Sequence, residues 1–132
     1  MKCIGCQLAN KEVEAYVIYE DEWITCVLDI DPIQEGHTLI LPKKHIEDLR
    51  QLNNELSQAI MNASIKISQA LTKRYKPDGI TVIQNNGIFN DLNHYHMHVF
   101  PRYLEDGFGW TEPNIEQSIS LNEVKNKLIQ CF

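Results

Sequence analysis

Long apolar runs, an excess of basic residues and linker-like stretches are all missing from this 132-residue chain. Nowhere do about 18 consecutive apolar residues occur, which argues against a membrane-spanning helix, and Met-Lys-Cys-Ile-Gly-Cys at the start lacks the apolar run of a secretory signal. The expectation is a soluble, cytoplasmic protein with no membrane partner. Twelve Lys and Arg against eighteen Asp and Glu leave a formal charge of −6. That balance repels a polyanion over long range and argues against a nucleic-acid surface, so any nucleotide must be held by a local site. No Pro/Gly/Ser linker, low-complexity tract or internal repeat divides the chain. Cysteine is sparse as well. Cys3 and Cys6 form a C-x-x-C pair while Cys26 and Cys131 are isolated, which suits a reducing compartment better than a disulfide framework.

What is present is enough for one core. Apolar residues make up 43% of the sequence, and the length matches a single domain spanning 1–132. Tyr16 to Glu20 and Trp23 to Leu28 are β-rich runs separated by Asp21-Glu22, the pattern of a hairpin. His37 to Leu41 reads as a third strand that Pro42 ends or edges. From Asn53 to about Tyr75, Leu56, Ile60, Ala63, Ile67 and Ala70 recur at steps of three and four, predicting one long amphipathic helix. Lys76-Pro77-Asp78-Gly79 stops it, Ile80 to Gln84 follows as a strand, and Asn85-Asn86-Gly87 turns the chain. His94 to Phe100 reads as the last strand, and Ser120-Leu121-Asn122-Glu123 has capping-box spacing for a short C-terminal helix. These elements predict an α+β domain with a mostly antiparallel five-stranded sheet, one long helix and a short C-terminal one.

Three of the five histidines fall within five residues. In a strand, His94, His96 and His98 share one face, while Tyr95, Met97 and Val99 take the other and anchor the segment in the core. A tri-histidine metal site is the chemical competitor to a phosphate-handling centre. Ideal alternation places the outer pair about 13 Å apart, so at most two adjacent members can share an ion.

The segment His94-Tyr95-His96-Met97-His98-Val99-Phe100-Pro101-Arg102 closely resembles the signature of the histidine triad (HIT) family. Leu28-Asp29-Ile30-Asp31-Pro32 and Gly36-His37-Thr38-Leu39-Ile40-Leu41-Pro42-Lys43-Lys44-His45 resemble its upstream blocks. The likeness runs from about Cys3 to Arg102 and leaves 103–132 as a C-terminal extension. It implies a HIT-like fold of the bacterial Hit/HINT-like branch and, by family analogy, a homodimer. It also implies a hydrolase or nucleotidyl transferase that cleaves purine nucleotide derivatives at the α-phosphate, with phosphoramidates, adenylates or dinucleoside polyphosphates as substrates. In that reading His96 is the nucleophile and forms a nucleotidyl-histidine, and His98 contacts the phosphate. The chemistry is sound, because an imidazole is largely neutral and nucleophilic near pH 7 and a covalent route divides one hard displacement into two. Asp29 sits where the family binds ribose hydroxyls, although an Asp before Ile30-Asp31-Pro32 also reads as a turn initiator. Asn85 resembles the family's binding-loop amide, or is simply part of an Asn-Gly turn. The family's usual Gly-Gln is replaced by Phe89-Asn90-Asp91-Leu92-Asn93 in a loop about two residues short. Asn90 is the candidate substitute for the Gln amide, while Asp91 would repel a substrate phosphate.

Cys3 and Cys6 have knuckle spacing, and two further ligands must come from elsewhere. His45 and His94 are the candidates, a combination that resembles the zinc site of many bacterial HIT proteins and of galactose-1-phosphate uridylyltransferases. It implies a closed, structural zinc. The alternatives are a reduced, metal-free pair or a redox pair, the latter without the βαβ setting it needs. His37 is expected to pack or hydrogen-bond within its strand. Lys43, Lys44 and Arg102 could steer an anion, and Phe108 and Trp110 read as packing residues. The competing function, motivated by the altered loop, is a catalytically weak nucleotide-binding or zinc-stabilised regulatory module.

Overall fold

The structure, a computed structural model, describes residues 3–114 and 120–132. Met1, Lys2 and residues 115–119 of the expected extension lie outside the described residues. Five strands, β1 (Val17–Glu20), β2 (Ile24–Leu28), β3 (Thr38–Pro42), β4 (Gly79–Gln84) and β5 (Met97–Arg102), form one antiparallel sheet in the order β1-β2-β3-β5-β4. The expected α+β class is therefore what is observed. Asp21 turns the first hairpin by accepting the Trp23 and Ile24 N–H groups on Oδ1.

The sheet's central strands explain why one face can carry chemistry. All five residues of β3 are buried, as are the first four of β2, so both sheet faces are covered there. One cover is α2 (Asn54–Tyr75), whose Leu56, Ala59, Ile60, Ala63, Ile67 and Leu71 point into the main core with Ile24, Ile40, Tyr95 and Val99. Each large apolar side chain so buried contributes roughly 1.5–3 kcal/mol. Asn53 caps the helix by accepting the Leu56 N–H, and Lys76 closes it in the left-handed region at φ 49°. Gly36 is required by the same packing. Its φ is 93°, and a Cβ there would lie 2.8 Å from both Leu71 Cδ2 and Tyr75 Cε2.

The opposite cover is smaller. A short helix absent from the sequence reading, α1 (Ile4–Ala9), brings Leu8 and Ala9 onto Val27, Leu39 and Leu41. Six residues containing a glycine are too few to show helical periodicity. Thr25 ties α1 down by donating to the Ala9 carbonyl at 2.6 Å. The C-terminal α3 (Leu121–Ile129) follows Ser120, which accepts the Glu123 N–H as its spacing predicts. None of its residues is buried.

Two boundaries differ from the sequence reading. Pro42 stays within β3, at its last position, and Pro101 lies inside β5. The β5 ladder also begins only at Met97, because the Tyr95 N–H donates to the Ile46 carbonyl at 2.6 Å and Asn93 turns the chain at φ 52°. His94 to His96 thus form a lead-in outside the ladder, with Tyr95 in the α2 core and His96 on the other side. Among the described residues, no helix is long and apolar enough to cross a membrane.

Candidate active site

The lead-in and β5 distribute the three motif histidines between two places. Tyr95 and Val99 enter the α2 core as alternation predicts. His96 and His98 face the other way, into a cleft of about 380 Å³ whose walls include Leu8, Val27, Leu28, Leu39 and Leu92. Such an apolar slot with a few polar groups among its lining suits a flat heterocycle attached to a polar tail.

Each imidazole has its tautomer set by a neighbour. His96 Nδ1 lies 2.9 Å from the His94 carbonyl, and a carbonyl only accepts, so Nδ1 carries the proton. Nε2 lies on the cleft side, 3.2 Å from Asp91 Oδ1. His37 Nδ1 accepts the Ile33 N–H at 3.0 Å, which puts its own proton on Nε2, 2.9 Å from His98 Nδ1. His98 is thereby an acceptor at Nδ1 and carries its proton on Nε2, free to donate within the cleft that it lines. Burial, reinforced by the neighbouring His96 and His37 imidazoles, pushes His98 down to about 4. Burial likewise lowers His37, against the pull of Asp29. This pair is neutral near pH 7, a relay of N–H dipoles rather than two cations.

His37 therefore does more than the sequence reading assigned to it. Its partner lies 61 residues away and is brought alongside only because β3 pairs with β5, with Leu39 opposite His98. Asp29 also lines the cleft, with Oδ2 at 3.6 Å from His37 Nε2, while Oδ1 accepts the Asp31 N–H at 2.8 Å. One carboxylate oxygen makes the turn and the other remains on the site side. Asp29, His37 and His98 are close enough to share an ion, but the N–H of Ile33 and the imidazole pair already account for their geometry.

Asn90 is placed differently from expectation. It is buried, donates to the Glu47 carbonyl at 2.8 Å and the His94 carbonyl at 3.3 Å, and accepts the Leu92 N–H at 3.1 Å. Its amide is occupied by backbone groups and does not line the cleft, so it clamps the shortened loop instead of presenting an amide to phosphate. Asn85 is exposed on the turn after β4 and also lies outside the cleft lining. Asp91 was expected only to repel phosphate. Its side chain is 86% exposed, yet Oδ1 sits 3.2 Å from His96 Nε2. Of the proposed steering cations, Lys43 pairs with Glu20 at 3.0 Å and Arg102 with Asp106 at 2.7 Å, while Lys44 is exposed and lies outside the cleft lining.

The second place is a metal-type cluster. Ligand atoms of Cys3, Cys6, His45 and His94 all lie within 4.8 Å of one another. His94 Nδ1 is 3.5 Å from both sulfurs, and His45 Nδ1 is 3.3 Å from Cys6 Sγ. In a tetrahedral ion with metal–sulfur bonds of about 2.3 Å and metal–nitrogen bonds of about 2.1 Å, neighbouring S and N ligands stand about 3.6 Å apart. The outer nitrogens fit too. His94 Nε2 donates to the Pro42 carbonyl at 2.8 Å, and His45 Nε2 faces Glu47 Oε1 at 3.2 Å, leaving both Nδ1 lone pairs for a cation. Burial and then the adjacent Cys3 thiol raise Cys6 to about 11, a sign that a bound cation reverses. Gly5 is needed for the approach, because a Cβ there would lie 2.4 Å from His94 Cβ.

The HIT domain model matches residues 10–105. Protein hit of Bacillus subtilis is 38% identical over 110 residues, covering 81% of this chain and 76% of that protein. Adenosine 5′-monophosphoramidase HNT1 of Saccharomyces cerevisiae is 32% identical over 113 residues, covering 82% and 69%. Among solved structures, a member of the HIT family of proteins from Bacillus subtilis superposes with a TM-score of 0.86 at 32% identity, covering 99% of this chain and 95% of that one. A Zn-bound histidine triad family protein from Mycobacterium smegmatis does so with a TM-score of 0.76 at 31% identity, covering 87% and 85%.

Proposed function

This chain belongs to the histidine triad family, and from that premise we propose that it hydrolyses or transfers nucleotides at the α-phosphate of nucleoside 5′-phosphate derivatives, through a nucleotidyl-histidine on His96. The carrying observation is the 2.9 Å contact of His96 Nδ1 with the His94 carbonyl, which assigns the proton of a neutral ring to Nδ1 and makes Nε2, 3.2 Å from Asp91 Oδ1, the nitrogen whose lone pair attacks. That pair forms a P–N bond as the bond to the leaving group breaks and its electrons depart with the leaving atom. Water then forms a P–O bond, the P–N pair returns to Nε2, and the nucleoside monophosphate is released. His98, with its proton on Nε2, donates to a non-bridging phosphate oxygen, and His37 fixes that orientation. The Asp29 carboxylate accepts from the ribose hydroxyls, and the apolar wall takes the purine base. The yeast relative's monophosphoramidase name is consistent with this substrate class. Asn85 reaches a bound phosphate only if the 85–93 loop rearranges.

The Cys3, Cys6, His45 and His94 set suits zinc, with two soft sulfurs, two imidazoles and, among the described residues, no fifth donor in the group. A zinc there contributes a crosslink between α1, the segment after β3 and the β5 lead-in. We assign the protein to the cytoplasm and to a homodimer, the latter tested by sedimentation at micromolar concentration.

The test of the reaction is AMP release from an adenosine phosphoramidate and from a dinucleoside tetraphosphate, with His96→Ala as control. His96-dependent turnover and a nucleotidyl adduct on His96 by mass spectrometry are expected. Tight nucleotide binding without turnover would instead establish the nucleotide-binding or regulatory module.

A further inference from the structure

The short helix α1 faces two ways. Ile4 and Leu8, one turn apart, line the cleft, while Cys3 and Cys6 reach His45 and His94 from the other side of the same helix. Its two ends are held differently. At the C-terminal end Ala9 is buried, its carbonyl accepts from Thr25 Oγ1 at 2.6 Å, and the Asn10 amide donates to the Lys43 carbonyl at 2.9 Å. At the N-terminal end, among the described residues, the polar contacts of residues 3–6 that leave α1 and its cap run through the two sulfurs, to His94 Nδ1 at 3.5 Å and His45 Nδ1 at 3.3 Å. Ile4 is 44% exposed, so its own burial does little to keep it at the cleft. The wall at this end stands on the cysteine cluster.

The same two sulfurs can bond to each other. One helical turn separates them, a Cα spacing of about 5 Å that falls within the range of a disulfide, and their Sγ atoms lie within 4.8 Å of one another. Both are half-buried, whereas Cys26 is buried. Ligation to a cation keeps both as thiolates, the form that reacts with an oxidant. A small disulfide balances the step. One thiolate bonds to a reagent sulfur as the first reagent thiolate leaves, and the other then displaces the second reagent thiolate and closes the S–S bond. The cysteine pair is oxidised by two electrons and the reagent is reduced by two. Neither sulfur is then a thiolate ligand, so the metal departs and the links from α1 to His45 and His94 are lost.

We infer that Cys3 and Cys6 are a thiol-oxidation site that gates nucleotide binding: their disulfide, formed as bound metal leaves, frees the N-terminal end of α1 and withdraws Ile4 from the cleft wall. The inference rests on the nucleotide and zinc readings above and adds a control over them. Loss of one aliphatic side chain from an apolar wall weakens binding by about tenfold. Reciprocally, a saturating nucleotide shifts the oxidation equilibrium toward the thiols by the same factor.

The experiment uses the zinc-loaded full chain carrying Cys131→Ser, which removes the exposed thiol of α3. Oxidised glutathione is added in excess, zinc release is followed with a metallochromic chelator, peptide mapping locates the disulfide, and the dissociation constant of AMP is measured by calorimetry before and after. Binding is read rather than turnover because the His94 carbonyl also orients the His96 ring. The expected result is release of the bound zinc, a disulfide between Cys3 and Cys6, AMP binding about tenfold weaker, and recovery on adding a phosphine reductant and zinc. A disulfide with AMP affinity unchanged within about twofold overturns the inference, and so does failure of the pair to oxidise. A chain that takes up no zinc defeats the zinc reading, and its reduced and oxidised forms then decide the gate by the same twofold limit. If AMP binds neither form, the nucleotide reading fails, and hydrogen exchange at the Gln7 amide, which donates to the Cys3 carbonyl at 3.1 Å, decides instead. Faster exchange in the oxidised form upholds the gate, and equal protection refutes it.

Discussion

His94 and His96 are two residues apart on the segment that leads into β5, yet they use opposite nitrogens. His94 holds its Nε2 proton on the Pro42 carbonyl and turns Nδ1 to two sulfurs, whereas His96 holds its Nδ1 proton on the His94 carbonyl and frees Nε2 for the cleft. The residue type is the same and both rings are buried. What separates the proposed ligand from the proposed nucleophile is which carbonyl claims the other nitrogen. The two ends are also joined, since the peptide carbonyl of His94 orients the His96 ring.

The largest effect that could break this division is on catalysis. His96→Ala is expected to lower kcat/KM by about 10⁴-fold or more, as removal of a covalent nucleophile does, while keeping one equivalent of metal per chain. His94→Ala is expected to do the converse, releasing the metal and destabilising the fold by more than about 4 kcal/mol, the range associated with loss of a metal. Elemental analysis and thermal melts, with and without chelator, separate the two. Full metal retention in His94→Ala would end the ligand assignment.

The division was only half legible in the sequence. Alternation along His94 to Val99 gave the faces correctly, because period two depends on local backbone geometry alone. The helix from Asn53 was equally readable, since its cap and its three-and-four spacing are local. His37 was underestimated because its partnership with His98 exists only through β3–β5 pairing across 61 residues. The Cys3 and Cys6 spacing, by contrast, held a clue to α1: thiols three apart lie on one side of a helical turn, and Cys3 Sγ does accept the Cys6 N–H at 3.4 Å. Asn90 misled for a different reason. An amide in a loop before a motif looks like a ligand contact until its backbone partners, Glu47 and His94, are brought to it by the fold.

The cleft end also has a pH signature. The unfolded chain takes up a proton at His98 near the ordinary value of 6.5, whereas the folded chain does so only near 4. Between those values the unfolded state binds more protons, so stability rises with pH across that window and falls on acidification. His98 alone accounts for about 2 kcal/mol of loss between about pH 7 and about pH 5, and the lowered His37 acts in the same direction. Asp48, held down to about 2 by Arg50, contributes only below the usual carboxylate range. Urea midpoints at the two pH values measure the sum. His98→Asn should flatten the dependence, and an unchanged slope in that variant would remove the buried neutral pair from the account.

The smallest expected effect sharpens the link between the two ends. Asn90 touches neither cleft nor metal ligand side chain, but it donates to the same His94 carbonyl that orients His96. Asn90→Ala removes donors from the Glu47 and His94 carbonyls and an acceptor from the Leu92 N–H, a cost of about 1–3 kcal/mol. The Glu47 carbonyl and the loop N–H account for stability, while the His94 carbonyl bears on the nucleophile's orientation. A purely structural clamp would lower the melting temperature and leave kcat intact in the folded protein. A positioning role predicts a several-fold fall in kcat with little change in KM, measured well below the melting transition. Asn90→Asp retains the acceptor for the Leu92 N–H but loses the donors, so it should recover part of the stability and none of the kcat. Recovery of both by Asn90→Asp would show that the carbonyl contact is dispensable and that the two ends of the histidine segment act independently.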